Sequence, residues 1–286
     1  MASPLLSSQF DLSASVFASK KPAAWERFSA MPKLAGVVAA SRLESRPALE
    51  MVPSGIRELD LLTGGIPRGC LTEVCGAASS GRTSMLMSVL AAGTQRGEAC
   101  ALVDVSDAFD PMSARAAGVR FEKLLWVRCG AARVSTKNNF ARKEEHLRRQ
   151  LESPVEQALR VTDLLLQSGG FGLVIIDLGD AAVKVVRRIP LTSWFRFQRV
   201  VENSPTVLFV VAQAACAPAC AALLLKLRAS GRKLSASGPQ FLGHTVPAHS
   251  FLLDGLQVEG EVLRSRMERK PVQSVTRFFT RAARAG

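Results

Sequence analysis

From Val52 onward the chain alternates short apolar runs with amphipathic stretches, each closed by glycine or proline. Leu71–Cys75 reads as a buried strand, Gly76–Gly81 as a loop and Arg82–Gly93 as a helix. The alternation continues with an apolar strand at Ala99–Val105, a short helix at Pro111–Ala117 stopped by Gly118, and a strand at Leu124–Arg128. Strands that are apolar on both faces belong in a parallel sheet with helices on either side. Ahead of them, Ile56–Leu62 predicts a helix, and Gly64, Gly65, Pro67 and Gly69 break the chain after it.

Further along, Ser153, Pro154 and Glu156 fit an N-cap, a first helical residue and a reciprocal capping acid. Val155, Ala158, Leu159, Thr162, Leu165 and Leu166 line one face of that helix, and Gly169-Gly170 stops it. Leu173–Asp177 and Thr206–Gln213 are two more buried strands, one ending in an acid and the other in an amide. In an open parallel sheet ligands sit at the carboxyl edge, so both polar ends converge on the glycine loop. Leu191, Trp194, Phe195 and Val201 are spaced as the core face of an amphipathic helix. Beyond residue 250, Phe251–Val258, a turn at Glu259-Gly260 and Val262–Val272 predict a closing hairpin. The expected fold is α/β, with a mostly parallel central sheet and that hairpin at its end.

Three parts follow from the patterning. Residues 1–45 are weakly patterned, with Phe10, Phe17, Trp25 and Phe28 scattered among prolines, and read as a lead segment with at most one docked helix. Residues 46–272 form the core, and 273–286 a basic tail. Within the core, 133–150 is rich in Lys and Arg and reads as a solvated loop or exposed helix.

Composition narrows the class. With 286 residues, 48% hydrophobic and 21% charged, the chain can bury a core, which excludes a disulfide-stapled miniprotein and a disordered chain. No uninterrupted apolar run reaches the roughly 18 residues of a membrane span. Lys20 and Lys21 stand late in a Ser- and Ala-rich start, the wrong order for a signal peptide, so a cytoplasmic protein without membrane contact is expected. Six cysteines without a CxxC pair, and three dispersed histidines, argue for buried thiols in a reducing compartment rather than a zinc site. The formal charge of +13, carried mostly by arginine, favours a polyanionic partner such as nucleic acid.

The candidate chemistry centres on Gly76-Ala-Ala-Ser-Ser-Gly81-Arg82-Thr83-Ser84, which has P-loop spacing with arginine in place of the usual lysine. Backbone N–H groups of such a loop and of the helix that follows cradle phosphates. Gly76, Ser79, Ser80, Gly81, Arg82, Thr83 and Ser84 are therefore the candidate nucleotide-binding residues, with the Thr83 hydroxyl on Mg²⁺.

From Val52 to about Cys129 the sequence resembles the recombinase RecA, through Met51-Val-Pro-Ser-Gly55, Gly64-Gly65-Ile-Pro67-Arg-Gly69, Glu73-Val-Cys-Gly76, Ser79-Ser80-Gly81, Ala108-Phe-Asp110-Pro111 and Gly118-Val119. The resemblance extends in outline from 50 to 272. It implies a RecA-like P-loop core using ATP with Mg²⁺, in which Asp177 is the acid of the second nucleotide motif, a Mg²⁺ partner, and Gln213 the amide that senses the γ-phosphate. The position of the water-polarising glutamate falls on Ser106. A hydroxyl cannot take the proton as a carboxylate does, and losing such a base typically costs about 10²- to 10⁴-fold in rate. With Arg82 also altered, slow or absent hydrolysis is expected, although Asp107 is one position away.

The resemblance also implies DNA-contacting segments. The first carries Lys184, Arg187, Arg188, Arg196 and Arg199; the second, 226–240, is read as a flexible basic loop with Arg232 and Lys233. Gly118–Cys129 and Ile189–Phe197 look like the ImuA-like branch, RecA homologues of the bacterial damage-inducible mutagenesis cassette. That branch implies single-stranded DNA, an ImuB-like Y-family polymerase relative, an error-prone polymerase and RecA itself as partners, and admits a homo-oligomer. Phe278-Phe279 in the tail reads either as a docking element for a partner or as one Phe packed back on the core. Three functions are thus in view: a translesion-synthesis accessory protein of the bacterial cytoplasm, a DNA-dependent ATPase of the recombinase type, and an SOS-linked cell-division inhibitor.

Overall fold

The computed structural model describes residues 49–129, 153–236, 251–266 and 274–281, with the backbone alone at 232–236, 251–254 and 281. The chain divides into Met1–Pro47 and Ala48–Gly286, and the description concerns the second unit. The expectations for 1–45, 133–150 and 282–286 lie outside the described residues.

The elements run β1 (Met51–Val52), α1 (Arg57–Thr63), β2 (Ile66–Pro67), β3 (Cys70–Gly76), α2 (Arg82–Gln95), β4 (Cys100–Asp104), α3 (Pro111–Ala116) and β5 (Leu124–Arg128). They continue with α4 (Pro154–Ser168), β6 (Leu173–Asp177), α5 (Val183–Val186), α6 (Leu191–Glu202), β7 (Val207–Ala212), β8 (Leu223–Ala236), β9 (Phe251–Ser265) and β10 (Val275–Arg281). Eight strands form one sheet in the order β10-β9-β8-β3-β7-β6-β4-β5. Pairing is parallel from β8 through β5 and antiparallel among β8, β9 and β10. The expected α/β fold with a mostly parallel sheet is what forms.

Successive strand residues point to opposite faces, and here both faces are covered, which is why the strands read as continuous apolar runs. Val74, Leu102, Ile175, Phe209 and Leu225 meet Met85, Leu86 and Leu90 of α2 in one core layer. Leu71, Val103, Ile176, Leu208 and Val210 meet Val155 and Ala158 of α4 and Trp194, Phe197 and Val201 of α6 in the other. α4 starts as expected: the Ser153 hydroxyl accepts from Glu156 N, and the Glu156 carboxylate accepts from Ser153 N. At the amino edge of the sheet Arg68 donates to Glu50 and Glu98 and to the Pro205 carbonyl, joining three connections with one guanidinium.

Four expectations are corrected. The turn at Glu259-Gly260 is absent, because β9 runs unbroken from Phe251 to Ser265. Gly260 lies within the strand in ordinary contact range of Leu227, Leu59 and Phe278, where a Cβ would meet side-chain carbons at 3.6 Å each. The hairpin arms are β9 and β10, paired from Val275↔Glu261 to Arg281↔Gly255. The segment read as a flexible loop from residue 226 is strand as far as Ala236, and Gly231 marks a β-bulge against β9 rather than a loop. The tail likewise supplies the edge strand β10, and with Phe278 buried and Phe279 44% exposed it follows the reading in which one Phe packs back on the core. On α6 the buried stripe is Trp194, Phe197 and Val201, at i, i+3 and i+7, while Leu191 and Phe195 stay exposed.

Candidate functional site: a P-loop with its cation anchored

β3 ends at Gly76 and α2 begins at Arg82, so the intervening loop lies at the carboxyl edge of the sheet. Ser79 and Gly81 both hold positive φ, 58° and 94°, and Ser80 N donates to the Ala77 carbonyl at 3.2 Å. Such alternation turns successive N–H groups inward into an anion-binding nest. No side chain caps the start of α2, which leaves its first N–H groups directed at the same place. Gly76 admits no side chain, since a Cβ there would meet the Leu227 carbonyl oxygen at 2.5 Å.

Thr83 is exposed and Ser84 half-buried, whereas Ser80 is buried. Arg82 is also buried, 8% exposed, and Nη1 donates to the Gly179 carbonyl oxygen at 2.8 Å. Its Nε is buried without a hydrogen-bond partner. The Asp177 carboxylate accepts from Gly179 N at 2.8 Å, so Arg82 and Asp177 hold the same glycine by its two backbone groups. Burial pushes Asp177 up to about 6; the Gly179 hydrogen bond and the Arg82 charge pull it down, while Asp104 and Asp180 push it further up. Arg82, Thr83, Ala108, Phe109, Asp177, Gly179 and Asp180 line a cleft with about 70 Å³ of free space.

Gln213 is half-buried one residue past β7, beside the P-loop strand by the register Cys75↔Ala212. Ser106 is exposed, and its N–H donates to Asp104 Oδ1 at 3.3 Å; from its loop it is Ala108 and Phe109 that line the cleft. Asp107 sits at φ 55° and forms an ion pair with Arg128, whose guanidinium stacks 5.0 Å from the Trp126 ring centroid. The site therefore joins the nest, Arg82, Thr83, Asp177 and Gln213 along one edge, and leaves Ser106 and Asp107 on its outer side.

Sequence reading missed Gly179, Asp180, Phe109 and two buried acids. Asp104 accepts from the N–H groups of Ser106, Ala108 and Phe109 and from Trp126 Nε1, fixing the loop after β4. Glu73 accepts from Cys216 N at 2.5 Å and Ala217 N at 3.2 Å, and burial raises its carboxyl above the ordinary range. An acid inside an apolar strand was the available signal for Glu73.

Of the candidate DNA contacts, Lys184, Arg187 and Arg188 lie exposed on or just after α5, and Arg199 exposed on α6. Arg196 is engaged by Asp163 of α4 at 2.9 Å. Arg232 and Lys233 lie in β8, paired with Leu256 and Gly255 of β9.

The comparisons agree with this geometry. Residues 29–132 match the RecA N-terminal domain. Over that stretch the α/β core is similar to RecA. Protein RecA of Deinococcus radiodurans is 35% identical over 136 residues, 47% of this chain and 31% of the relative. Protein RecA of Thermus thermophilus is 32% identical over 169 residues, 58% of this chain and 43% of the relative. The chain thus matches between 31% and 43% of the length of these curated RecA relatives. RecA homologues use ATP with Mg²⁺. The nest fits a phosphate chain; the metal side fits poorly, because the Arg82 guanidinium already lies alongside Asp177 on Gly179.

Proposed function

We propose that this chain is a RecA-like accessory protein of the DNA-damage response, acting in error-prone translesion synthesis, with a degenerate nucleotide site. One observation supports it above the others: the cation of the P-loop is anchored on the Gly179 carbonyl, while the position of the water-orienting acid, Ser106, holds an exposed hydroxyl that does not line the cleft. A loop that holds phosphate but lacks a base beside it binds a nucleotide as a ligand instead of burning it. Asp107, the acid on which a recombinase-type ATPase would depend, is occupied by Arg128. Turnover is accordingly slow or absent.

The exposed cations Lys184, Arg187, Arg188 and Arg199 serve single-stranded DNA in this reading, through sequence-blind phosphate contacts. Its protein partners are an ImuB-like Y-family polymerase relative, an error-prone polymerase and RecA, in the bacterial cytoplasm. Deleting the gene abolishes damage-induced mutagenesis while survival of undamaged cells is unchanged; normal induced mutation rates in the deletant would sink the proposal. ATP turnover stimulated by single-stranded DNA and lost in Asp177→Ala would return the chain to the ATPase class.

A further inference from the structure

We propose that the P-loop of this chain takes the phosphates of its ligand without a divalent cation, the Arg82 guanidinium supplying beside Asp177 the positive charge that a metal would bring. This rests on the reading of Gly76–Ser84 as a phosphate nest.

The first support is the state of Arg82 itself. A guanidinium is charged at every working pH, and this one is 8% exposed. Nη1 is bound to Gly179, yet the Nε donor is buried with no partner. A buried donor without an acceptor is costly, and a phosphate oxygen held by the neighbouring nest supplies one in charge-assisted form. The ligand is thus an anion placed on the nest side of Arg82.

The second is electrostatic. Metal ions in P-loops balance charge between the phosphates and an acid at the end of a neighbouring strand. Here Arg82 already sets a fixed positive charge beside Asp177, which is held by the same glycine. A divalent cation in that place meets a like charge that cannot be titrated away.

The test is titration calorimetry on the full chain with ADP, ATP and inorganic pyrophosphate, each in Mg²⁺ and in EDTA. The Kd values for ADP and ATP are each expected to change by less than about threefold between the two buffers. ADP binding alone marks a nucleoside ligand, and equal binding of pyrophosphate marks the diphosphate group; either without metal supports the proposal. Arg82→Lys, whose shorter single-point ammonium vacates Gly179, is expected to bind ADP at least about tenfold tighter with Mg²⁺ than without. A Mg²⁺ requirement in the wild-type chain overturns the proposal, and so does the absence of any binding in both buffers. Neither result touches the role in mutagenesis, which is read separately in the deletant.

Discussion

Val258 of β9 lies against Gly81 at the mouth of the phosphate nest, so close that a Cβ on Gly81 would come within 2.6 Å of Val258 Cγ2. A side chain there also meets a φ of 94°, which L residues rarely adopt. Gly81→Ala is therefore expected to destabilise the protein by about 1–3 kcal/mol in denaturant titrations and to abolish phosphate binding. Adding Val258→Ala removes the clash and leaves the backbone strain, so the double variant recovers less than the whole loss. Full recovery would show that crowding alone dictates glycine at this position.

Glu73 makes stability depend on pH with a definite sign. Its carboxyl titrates near 4.5 in the unfolded chain and higher in the folded one, because burial disfavours the charge. Its contribution is fully present below about 4.5 and is lost as pH rises through the folded value. Compared with Glu73→Gln, which does not titrate, the wild type should gain relative stability on acidification from pH 8 toward about 4.5. Thermal melts of both proteins across that range check it; a constant difference would mean that the folded carboxyl titrates normally.

Phe278 and Phe279 are neighbours with opposite fates. Phe278 packs in the layer that holds Leu59, Leu227 and Val258, whereas Phe279 is 44% exposed. Phe278→Ala should cost about 3–5 kcal/mol, and Phe279→Ser no more than about 0.5. Equilibrium unfolding separates the two. Equal small losses would mean that β10 contributes little to the core.

Much of the fold could be read from the sequence because two-sided burial writes itself as uninterrupted apolar runs. β4, β5, β6 and β7 lie within a residue of expectation, and the α4 capping box was visible in Ser153 and Glu156. The end of the chain was harder for a physical reason. Gly231 and Gly260 look like turn residues, but one sits at a bulge of β8 and the other lies inside β9, paired with Leu227. The nest and Asp177 followed from spacing and strand ends. The hold of Arg82 on Gly179 did not, since it joins positions 97 residues apart and depends on a backbone carbonyl that carries no sequence signature.

The basic segment makes a graded prediction. Lys184, Arg187, Arg188 and Arg199 are exposed, while Arg196 is held by Asp163. Replacing Arg187, Arg188 and Arg199 together with Ala should weaken single-stranded DNA binding and reduce the salt dependence of the affinity by about 0.7 in log–log slope per lost contact. Arg196→Ala should change the slope less than any of these. Fluorescence anisotropy across a salt series measures both, and an unchanged slope in the triple variant would place the DNA elsewhere.

Glu73 has a mechanical consequence as well. It stands on the strand that leads into the P-loop and grips the backbone three and four residues beyond Gln213, welding the two strand ends into one lever. Gly179, by contrast, hangs on two side chains, Arg82 and Asp177, and opens the path into α5 and α6. A shift of Arg82 is therefore expected to reach the arginine-bearing helices before it reaches Gln213.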